Sequence, residues 1–180
     1  MKEYSYVEHT FAPVYDRESK ILILGTFPSV KSRENQFYYG HPQNRFWKVI
    51  ARITGEKVPV TIEEKKKILL GNHIAVWDVI QSCRIAGSSD SSIHDVVIND
   101  VSKLLKETKI KRIYANGGKA YELYQKYAFQ KTGREIIKLP STSPANAGYR
   151  LESLCEEWGR IMDDMDEALI NKENRWDRDK

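Results

Sequence analysis

The chain has 180 residues, of which 41% are hydrophobic and 30% are charged, and its formal net charge is +4. This length suits one domain with a sizeable core, and no apolar run approaches the ~20 residues that a membrane helix needs. The N-terminus lacks the apolar segment of a signal peptide, so we expect an intracellular (cytoplasmic) protein that does not bind membranes.

The charge and the cysteines narrow the possible functions. A small positive excess permits nucleic-acid binding but does not require it. The two cysteines, Cys83 and Cys155, are far apart in the sequence. A structural zinc or an iron–sulfur cluster needs about four ligands, so we expect neither, and two buried free thiols are the simpler interpretation.

The first predicted strand, 20–26, leads into the most distinctive stretch of the chain. Residues 21–24 are four consecutive branched apolar residues, and Gly25 and Pro28 close the run, which is typical of a strand buried on both faces in a parallel sheet. The preceding residues, 4–15, are predicted to be an extended lead-in that covers part of this strand. Ligands of open parallel sheets bind outside the carboxyl ends of the strands, so 25–29 should lie at the mouth of a site.

Strand and helix alternate along the rest of the chain. Thr61 and Glu64 form a capping-box pattern before one helix, and Asn99 is predicted to cap another. The predicted helices are 44–54, 62–71, 100–108, 119–129 and 151–169, and the further strands are 74–77, 112–115 and 136–139. This alternation predicts an α/β domain over 1–170 with a mostly parallel sheet between helical layers. The last residues, 171–180, are predicted to be a charged, frayed tail.

A second stretch is predicted to return to the mouth of the site formed by 25–29, and its side chains are suited to binding or catalysis. The stretch reads Phe-Tyr-Tyr-Gly-His-Pro-Gln-Asn-Arg-Phe-Trp over 37–47. Phe46 and Trp47 fall on the apolar stripe of the following helix and are assigned to the core, and Arg45 is assigned to the opposite face. Asn44 has a neutral amide with two donor hydrogens and an acceptor oxygen. It is also a helix N-cap residue by type, and the two interpretations are compatible.

These residues resemble a known motif. Gly-Thr-Phe-Pro-Ser at 25–29 and Tyr-Tyr-Gly-His-Pro-Gln-Asn-Arg-Phe-Trp at 38–47 are similar to the first motif of the uracil-DNA glycosylase superfamily, and most similar to the hypoxanthine (deoxyinosine) DNA glycosylases. The resemblance implies a three-layer α/β/α sandwich with four central strands. It also implies a monofunctional enzyme that flips a deaminated base, hypoxanthine first, out of double-stranded DNA and hydrolyses its N-glycosidic bond. Asn44 takes the catalytic position.

The resemblance also assigns base-binding residues, each with an alternative. The backbone at Gly25, Thr26 and Phe27 is expected to be free at the strand end, so its N–H and C=O groups could hydrogen-bond to the base edge. Thr26 could weakly position a water where many relatives have Asn or Asp. Phe27 either packs against the pocket or caps the sheet. Tyr39 aligns with an aromatic that stacks on the flipped base, or it packs the loop. His41 could contact a phosphate or the leaving base, although a structural role is favoured for it.

A second loop, 139–148, resembles the superfamily motif that enters the duplex. Small hydroxyl residues could donate hydrogen bonds to phosphates, and the residues after them could fill the gap left by the flipped base. The hydroxyl residues are Ser141, Thr142 and Ser143, and the gap-filling candidates are Pro144, Ala145 and Asn146. Without the first motif, this loop would be interpreted as a polar turn.

Two other functions stay open at this stage. The enzyme could prefer uracil or G·T and G·U mismatches, or the chain could be an α/β module that binds nucleic acid or nucleotide without catalysis. A phosphate-binding metabolic enzyme is disfavoured because the common glycine-rich phosphate motifs are missing. We expect no cofactor, no metal and a monomer. The orientation of Asn44 separates a glycosylase from a non-catalytic binding module, because a catalytic amide must face a pocket.

Overall fold

The computed structural model describes residues 3–166. The strands are β1 (Ser5–Glu8), β2 (Ile21–Gly25), β3 (Ile74–Asp78), β4 (Ile80–Ile85), β5 (His94–Ile98), β6 (Arg112–Asn116) and β7 (Ile136–Leu139). The α-helices are α1 (Val30–Asn35), α2 (Phe46–Thr54), α3 (Ile62–Gly71), α4 (Val101–Lys106), α5 (Gly118–Leu123), α6 (Phe129–Thr132) and α7 (Leu151–Trp158). Residues 160–166 are again helical, whereas the end of the predicted last helix and the predicted tail lie outside the described residues.

Four parallel strands form the central sheet in the order β3-β2-β6-β7. Strand β2 lies in the middle, and its residues 21–24 are almost completely buried on both faces, as its uninterrupted apolar run predicts. Gly25 pairs with Asp78 on one side, and Asn116 pairs with Leu139 further along. The carboxyl ends of all four strands therefore meet at one edge, and the predicted α/β class with a parallel sheet is confirmed.

Helices cover both faces of this sheet. One core cluster joins the sheet to α2, α3 and α7, and it contains the buried side chains of Phe46, Trp47 and Trp158. The other joins the sheet to α4 and α5, and it contains Leu24 and Ala115. Among the described residues, no helix is both long enough and apolar enough to cross a membrane.

A second, antiparallel sheet of three strands in the order β1-β4-β5 was not predicted. Its strands are short, and β5 is largely exposed, so the sequence carries little apolar periodicity there. The lead-in segment supplies β1 to this sheet. Val14 then forms a bridge with Val76 of β3. The lead-in does not pair with β2, which has β3 and β6 as its neighbours, but its Val14 is buried in the same core cluster as Ile21 and Ile23 of β2.

The prediction that Asn99 caps α4 is wrong. Asp100, rather than Asn99, caps this helix, and its side chain accepts a hydrogen bond from the N–H of Lys103. Asn99 is buried, and its Nδ2 donates to the carbonyl oxygens of Asp78 and Ile80. Because Asn99 bonds to these two carbonyls, it fixes the chain where it leaves β3 for β4.

Candidate active site

A cavity of about 470 Å³ opens at the carboxyl ends of the parallel strands, which is within the range of roughly 300–1,000 Å³ typical of small-molecule sites. The lining comes from the ends of β2, β3 and β6, from the segments that follow β2 and β7, from the loop before α2, and from residues 88–91 after β4. The two sequence stretches that resemble glycosylase motifs therefore lie on one cavity. This is the position that an open parallel sheet predicts.

The floor of the cavity lies over Gly25. A Cβ atom at this position would be 2.4 Å from Oδ1 of Asp78 and 3.0 Å from the hydroxyl of Tyr39, so no larger residue fits without displacing them. Asp78 is 4% exposed, and its Oδ2 lies 2.8 Å from Nε2 of His9. No hydrogen bond within residues 3–166 engages Oδ1 of Asp78, which leaves a carboxylate oxygen available at the floor.

Asn44 is fixed by a chain of hydrogen bonds that reaches across the sheet edge. Its Oδ1 accepts from the backbone N–H of Phe46 at 3.0 Å and from the hydroxyl of Thr142 at 2.9 Å. Thr142 is fully buried, and its Oγ1 in turn accepts from Nδ2 of Asn116 at 3.0 Å. The N–H of Thr142 donates to Oδ1 of Asn116, also at 3.0 Å. The two amides and the hydroxyl thus define one another's orientation.

This network decides what Asn44 can do. Both lone pairs of Oδ1 are used, so the oxygen has no remaining capacity to accept from a base or a water. The Nδ2 group keeps both hydrogens as donors, and Asn44 lines the cavity half-buried. The N-cap interpretation holds in part, because Oδ1 does bind a helix-end N–H, although α2 begins at Phe46 and not at the predicted residue 44.

Tyr39 adopts an uncommon backbone conformation that places its ring at the cavity. Its φ of 51° lies in the left-handed region, which a bulky residue rarely adopts and which concentrates at functional sites. The ring stacks on Phe46 with centroids 3.9 Å apart. The hydroxyl is buried, and no group within residues 3–166 meets hydrogen-bond geometry with it. Burial and the Asp78 carboxylate raise its pKa, and the nearby side chain of Asn116 offsets part of that rise. Tyr38 is the tyrosine that packs the loop, with its hydroxyl donating to the carbonyl of Ala12.

The backbone after β2 is only partly available. The carbonyls of Gly25 and Thr26 accept from the N–H groups of Val79 and Ile80, at 2.9 and 3.2 Å, so the expectation that they are free is wrong. By contrast, no hydrogen bond within the described part of the chain engages the N–H of Thr26 or Phe27. The segment therefore offers donors to a ligand more readily than acceptors.

Two predicted base-binding side chains have distinct surroundings. Phe27 lines the cavity, and it also packs edge-on against His9, with the ring centroids 6.3 Å apart, and lies under the guanidinium of Arg33. His41 is exposed at the rim, where its Nδ1 accepts from the N–H of Gln43 at 3.1 Å. This local bond is consistent with the structural role that the sequence favoured for His41, and it does not involve Nε2.

The second loop forms another wall of the cavity. Pro144 and Ala145 are exposed at its tip, while Asn146 turns its Nδ2 back to the carbonyl of Ser141 at 2.9 Å. The hydroxyl oxygens of Ser141 and Ser143 accept backbone N–H groups of the loop, which leaves their hydroxyl hydrogens free to donate. Thr142 differs: its buried hydroxyl already donates to Asn44, so the prediction that it donates to phosphate is wrong.

Arg45 holds this loop in place, contrary to its predicted assignment to the solvent face of α2. Its guanidinium donates to the carbonyl oxygens of Ser143 at 2.9 Å, Asn146 at 3.1 Å and Tyr149, and more weakly to that of Thr142 at 3.4 Å. Its backbone N–H also donates to the carbonyl of Thr142 at 3.1 Å. The residue after Asn44 therefore fixes the loop whose Thr142 orients Asn44.

Sequence reasoning missed four contributors to this site: His9, Arg45, Asp78 and Asn116. Asp78 and Asn116 each come directly after a buried apolar run. A polar side chain at the carboxyl end of a predicted parallel strand is a signal that could have identified both residues. For His9 no such signal exists, because its contact with Asp78 joins positions 69 residues apart.

The chain as a whole is similar to known proteins. The family model of the uracil DNA glycosylase superfamily matches residues 12–165. Two proteins named hypoxanthine DNA glycosylase are similar to the chain. The protein from Methanosarcina acetivorans is 40% identical over 79% of this chain and 90% of its own length. The one from Methanosarcina barkeri is 36% identical over 76% and 86%.

A solved structure is similar as well. It is the solution NMR structure of a Methanosarcina acetivorans protein proposed to be a uracil DNA glycosylase, with a TM-score of 0.73 and 38% identity. The superposition covers 84% of this chain and 93% of the other.

Proposed function

Since the chain belongs to the uracil-DNA glycosylase superfamily, we propose that it is a monofunctional DNA glycosylase that excises hypoxanthine from deoxyinosine in double-stranded DNA. The observation that carries the proposal is the amide of Asn44, whose oxygen is occupied and whose Nδ2 donors are left for the cavity. The names of the two Methanosarcina relatives support hypoxanthine as the base. We further propose that it acts as a monomer on intracellular DNA.

The cavity floor suits a deaminated base. Deamination turns the N1 of adenine, a hydrogen-bond acceptor, into the N1–H donor of hypoxanthine. The carboxylate of Asp78 offers an acceptor there, because an ionised carboxyl group only accepts. The N–H groups of Thr26 and Phe27 offer donors for the neighbouring carbonyl oxygen of the base. Adenine itself would place a lone pair against the carboxylate, and such an unpaired polar contact supports discrimination.

Asn44 would stabilise the departing base. When the bond between C1′ and the base nitrogen breaks, its electron pair stays on the base, so negative charge develops there. An Nδ2–H donor directed at an acceptor nitrogen of the purine stabilises that charge more strongly than it stabilises the neutral substrate. An amide cannot supply a proton, so the leaving base takes its proton from solvent or from the attacking water.

Water is the proposed nucleophile. The described lining consists of hydroxyl, amide, carboxylate, aromatic and small side chains, with His41 at the rim. Lys31 is exposed and pairs with Glu34 at 3.5 Å, which favours a solvated role over attack on the sugar. In the proposed reaction, water adds to C1′, and the products are the free base and an abasic site on an intact strand.

The alternative substrates are uracil and mismatched thymine or uracil. Uracil also carries a ring N–H that Asp78 could accept. Thr26 stands where many superfamily members have a polar Asn or Asp, which disfavours rapid uracil excision. The non-catalytic alternative requires that helix capping consume the amide of Asn44, whereas its Nδ2 is unused within residues 3–166.

The test uses duplex oligonucleotides that carry inosine, uracil, xanthine or a G·T mismatch, with alkali added after incubation to cut abasic sites. We expect the inosine strand to break only after alkali, and Asn44→Ala to remove most of this activity. Asn72→Ala is the matched control, because Asn72 also uses its amide at a helix end but lies far from the cavity. Cleavage of uracil with inosine left intact would shift the assignment to the alternative substrate.

A further inference from the structure

His9 is buried beneath the cavity although it comes from the N-terminal segment. Its side chain is 2% exposed, and Nε2 lies 2.8 Å from Oδ2 of Asp78, whose side chain is 5% exposed. Aromatic rings surround the imidazole, with centroid distances of 4.4 Å to Phe11, 5.8 Å to Tyr38 and 6.3 Å to Phe27. A polar group in such surroundings is stable only when it is hydrogen-bonded, so this contact fixes the imidazole.

The main chain holds His9 in this place. Strand β1 ends at Glu8, and the N–H of His9 then donates to the carbonyl of Gln81 in β4 at 2.6 Å. His9 lies just before residues 12–165, the part of the chain that the superfamily model matches. The main-chain bond therefore brings the N-terminal segment against the floor of the cavity.

We propose that His9 is a positioning residue for base selection: it holds Asp78 so that Oδ1 accepts the ring N–H of a deaminated base. The proposal rests on the proposed function. An ionised carboxylate has no hydrogen to donate, so Nε2 of His9 is the donor to Oδ2. This bond fixes the rotation of the carboxylate and places Oδ1 over Gly25, where no Cβ competes with it.

The pair also determines the hydrogen-bonding character of the floor. Adenine presents the lone pair of N1 to Oδ1 of Asp78, whereas hypoxanthine presents an N1–H. Discrimination between the two bases requires that Oδ1 be held at the base edge, and the bond between His9 and Oδ2 holds it there. Loss of this bond would let the carboxylate rotate, so it should weaken hypoxanthine recognition and relax discrimination against adenine.

The experiment compares variants with and without a donor at position 9. His9→Phe and His9→Leu keep an apolar group among the surrounding rings but cannot donate, whereas His9→Gln keeps an N–H. His94→Phe is the matched control, because His94 is half-exposed on β5 and packs edge-on against Tyr4. Each variant is tested for folding by thermal unfolding, and for excision of inosine under single-turnover conditions. Free hypoxanthine and free adenine serve as competing inhibitors.

We expect the two donorless variants to lose ~10- to 100-fold in kcat/KM for inosine, the effect of one hydrogen bond to a charged group. The preference for free hypoxanthine over adenine should fall in parallel, and His9→Gln should restore most of both. For the wild type, 1-methylhypoxanthine, which has no N1–H, should inhibit at least ~10-fold more weakly than hypoxanthine.

Three results would overturn the proposal. Folded donorless variants could keep the wild-type rate and the wild-type preference for hypoxanthine. Both could fail to fold while His9→Gln folds, which would make the bond one of stability alone. The wild type could also bind 1-methylhypoxanthine as tightly as hypoxanthine. Failure of the proposed function itself is distinguishable, because the wild type would then leave inosine intact.

Discussion

The position of the loop at residues 139–148 should depend on a single side chain, that of Arg45. Arg45→Met keeps the aliphatic stem but removes every guanidinium contact to the carbonyls of Ser143, Asn146, Tyr149 and Thr142. Hydrogen bonds to charged groups contribute ~1.5–3 kcal/mol each when they are well buried. The site is half-exposed, and water can replace part of these bonds, so we expect a total loss of about 2–4 kcal/mol for the closed loop.

That loss should appear in both binding and catalysis. The loop is predicted to bind the phosphates beside the target base, so an open loop should raise KM. Movement of Thr142 should release Oδ1 of Asn44 and lower kcat. Together, about 2–4 kcal/mol corresponds to a fall in kcat/KM of roughly 30- to 1,000-fold. Single-turnover excision of inosine at several protein concentrations separates the two effects, and hydrogen exchange of residues 143–149 reports on the loop directly.

The control for this prediction is Arg52→Met. Arg52 lies on the same helix, α2, but its side chain is 52% exposed, reaches Glu152 at 3.9 Å and lies near Cys155, with no contact to the loop, so we expect a change within about 0.5 kcal/mol. If Arg45→Met left both the hydrogen exchange of the loop and kcat/KM at wild-type values, the reasoning that Arg45 holds the loop would be refuted.

Three further substitutions test the floor and wall of the cavity. Gly25→Ala places a Cβ 2.4 Å from Oδ1 of Asp78, so it should lower the free energy of unfolding by about 1–3 kcal/mol. It should also reduce inosine excision, and normal activity would contradict the proposed floor. Thr142→Val, of similar shape, removes the donor to Asn44, and urea unfolding should show a loss of ~1–3 kcal/mol alongside slower excision. Tyr39→Phe removes a buried hydroxyl without a partner, so thermal unfolding should shift upward or not at all. A clear drop in its melting temperature would show that this hydroxyl is bonded.

Much of the architecture followed from local patterns. The run at residues 21–24 predicted a strand buried on both faces, and the structure places it at the centre of the sheet. The helical spacing of Phe46 and Trp47 correctly assigned both to the core. These signals are local, since they depend on which residues follow one another, and the physics of a buried parallel strand or an amphipathic helix operates over a few residues.

The small antiparallel sheet and the cap of α4 escaped prediction for a related reason, whereas the capping box predicted at Thr61 and Glu64 is confirmed. β5 is short and mostly exposed, so burial imposed little pattern on its sequence. Asn99 is a cap residue by type, but its amide bonds instead to two carbonyls near the end of β3. The residue type predicted a helix N–H as the partner of Asn99, whereas the fold brings the carbonyls of Asp78 and Ile80 within hydrogen-bond distance of its amide.

The sequence by itself determined that a parallel sheet would end at a site, and the resemblance of one contiguous stretch to a known motif assigned Asn44 and Tyr39 to that site. Only the tertiary structure decided which atoms remain available for chemistry. The contact of His9 with Asp78 and that of Asn44 with Thr142 join residues 69 and 98 positions apart. Such bonds depend on how the strands are ordered across the sheet, and no pattern along the chain records that order.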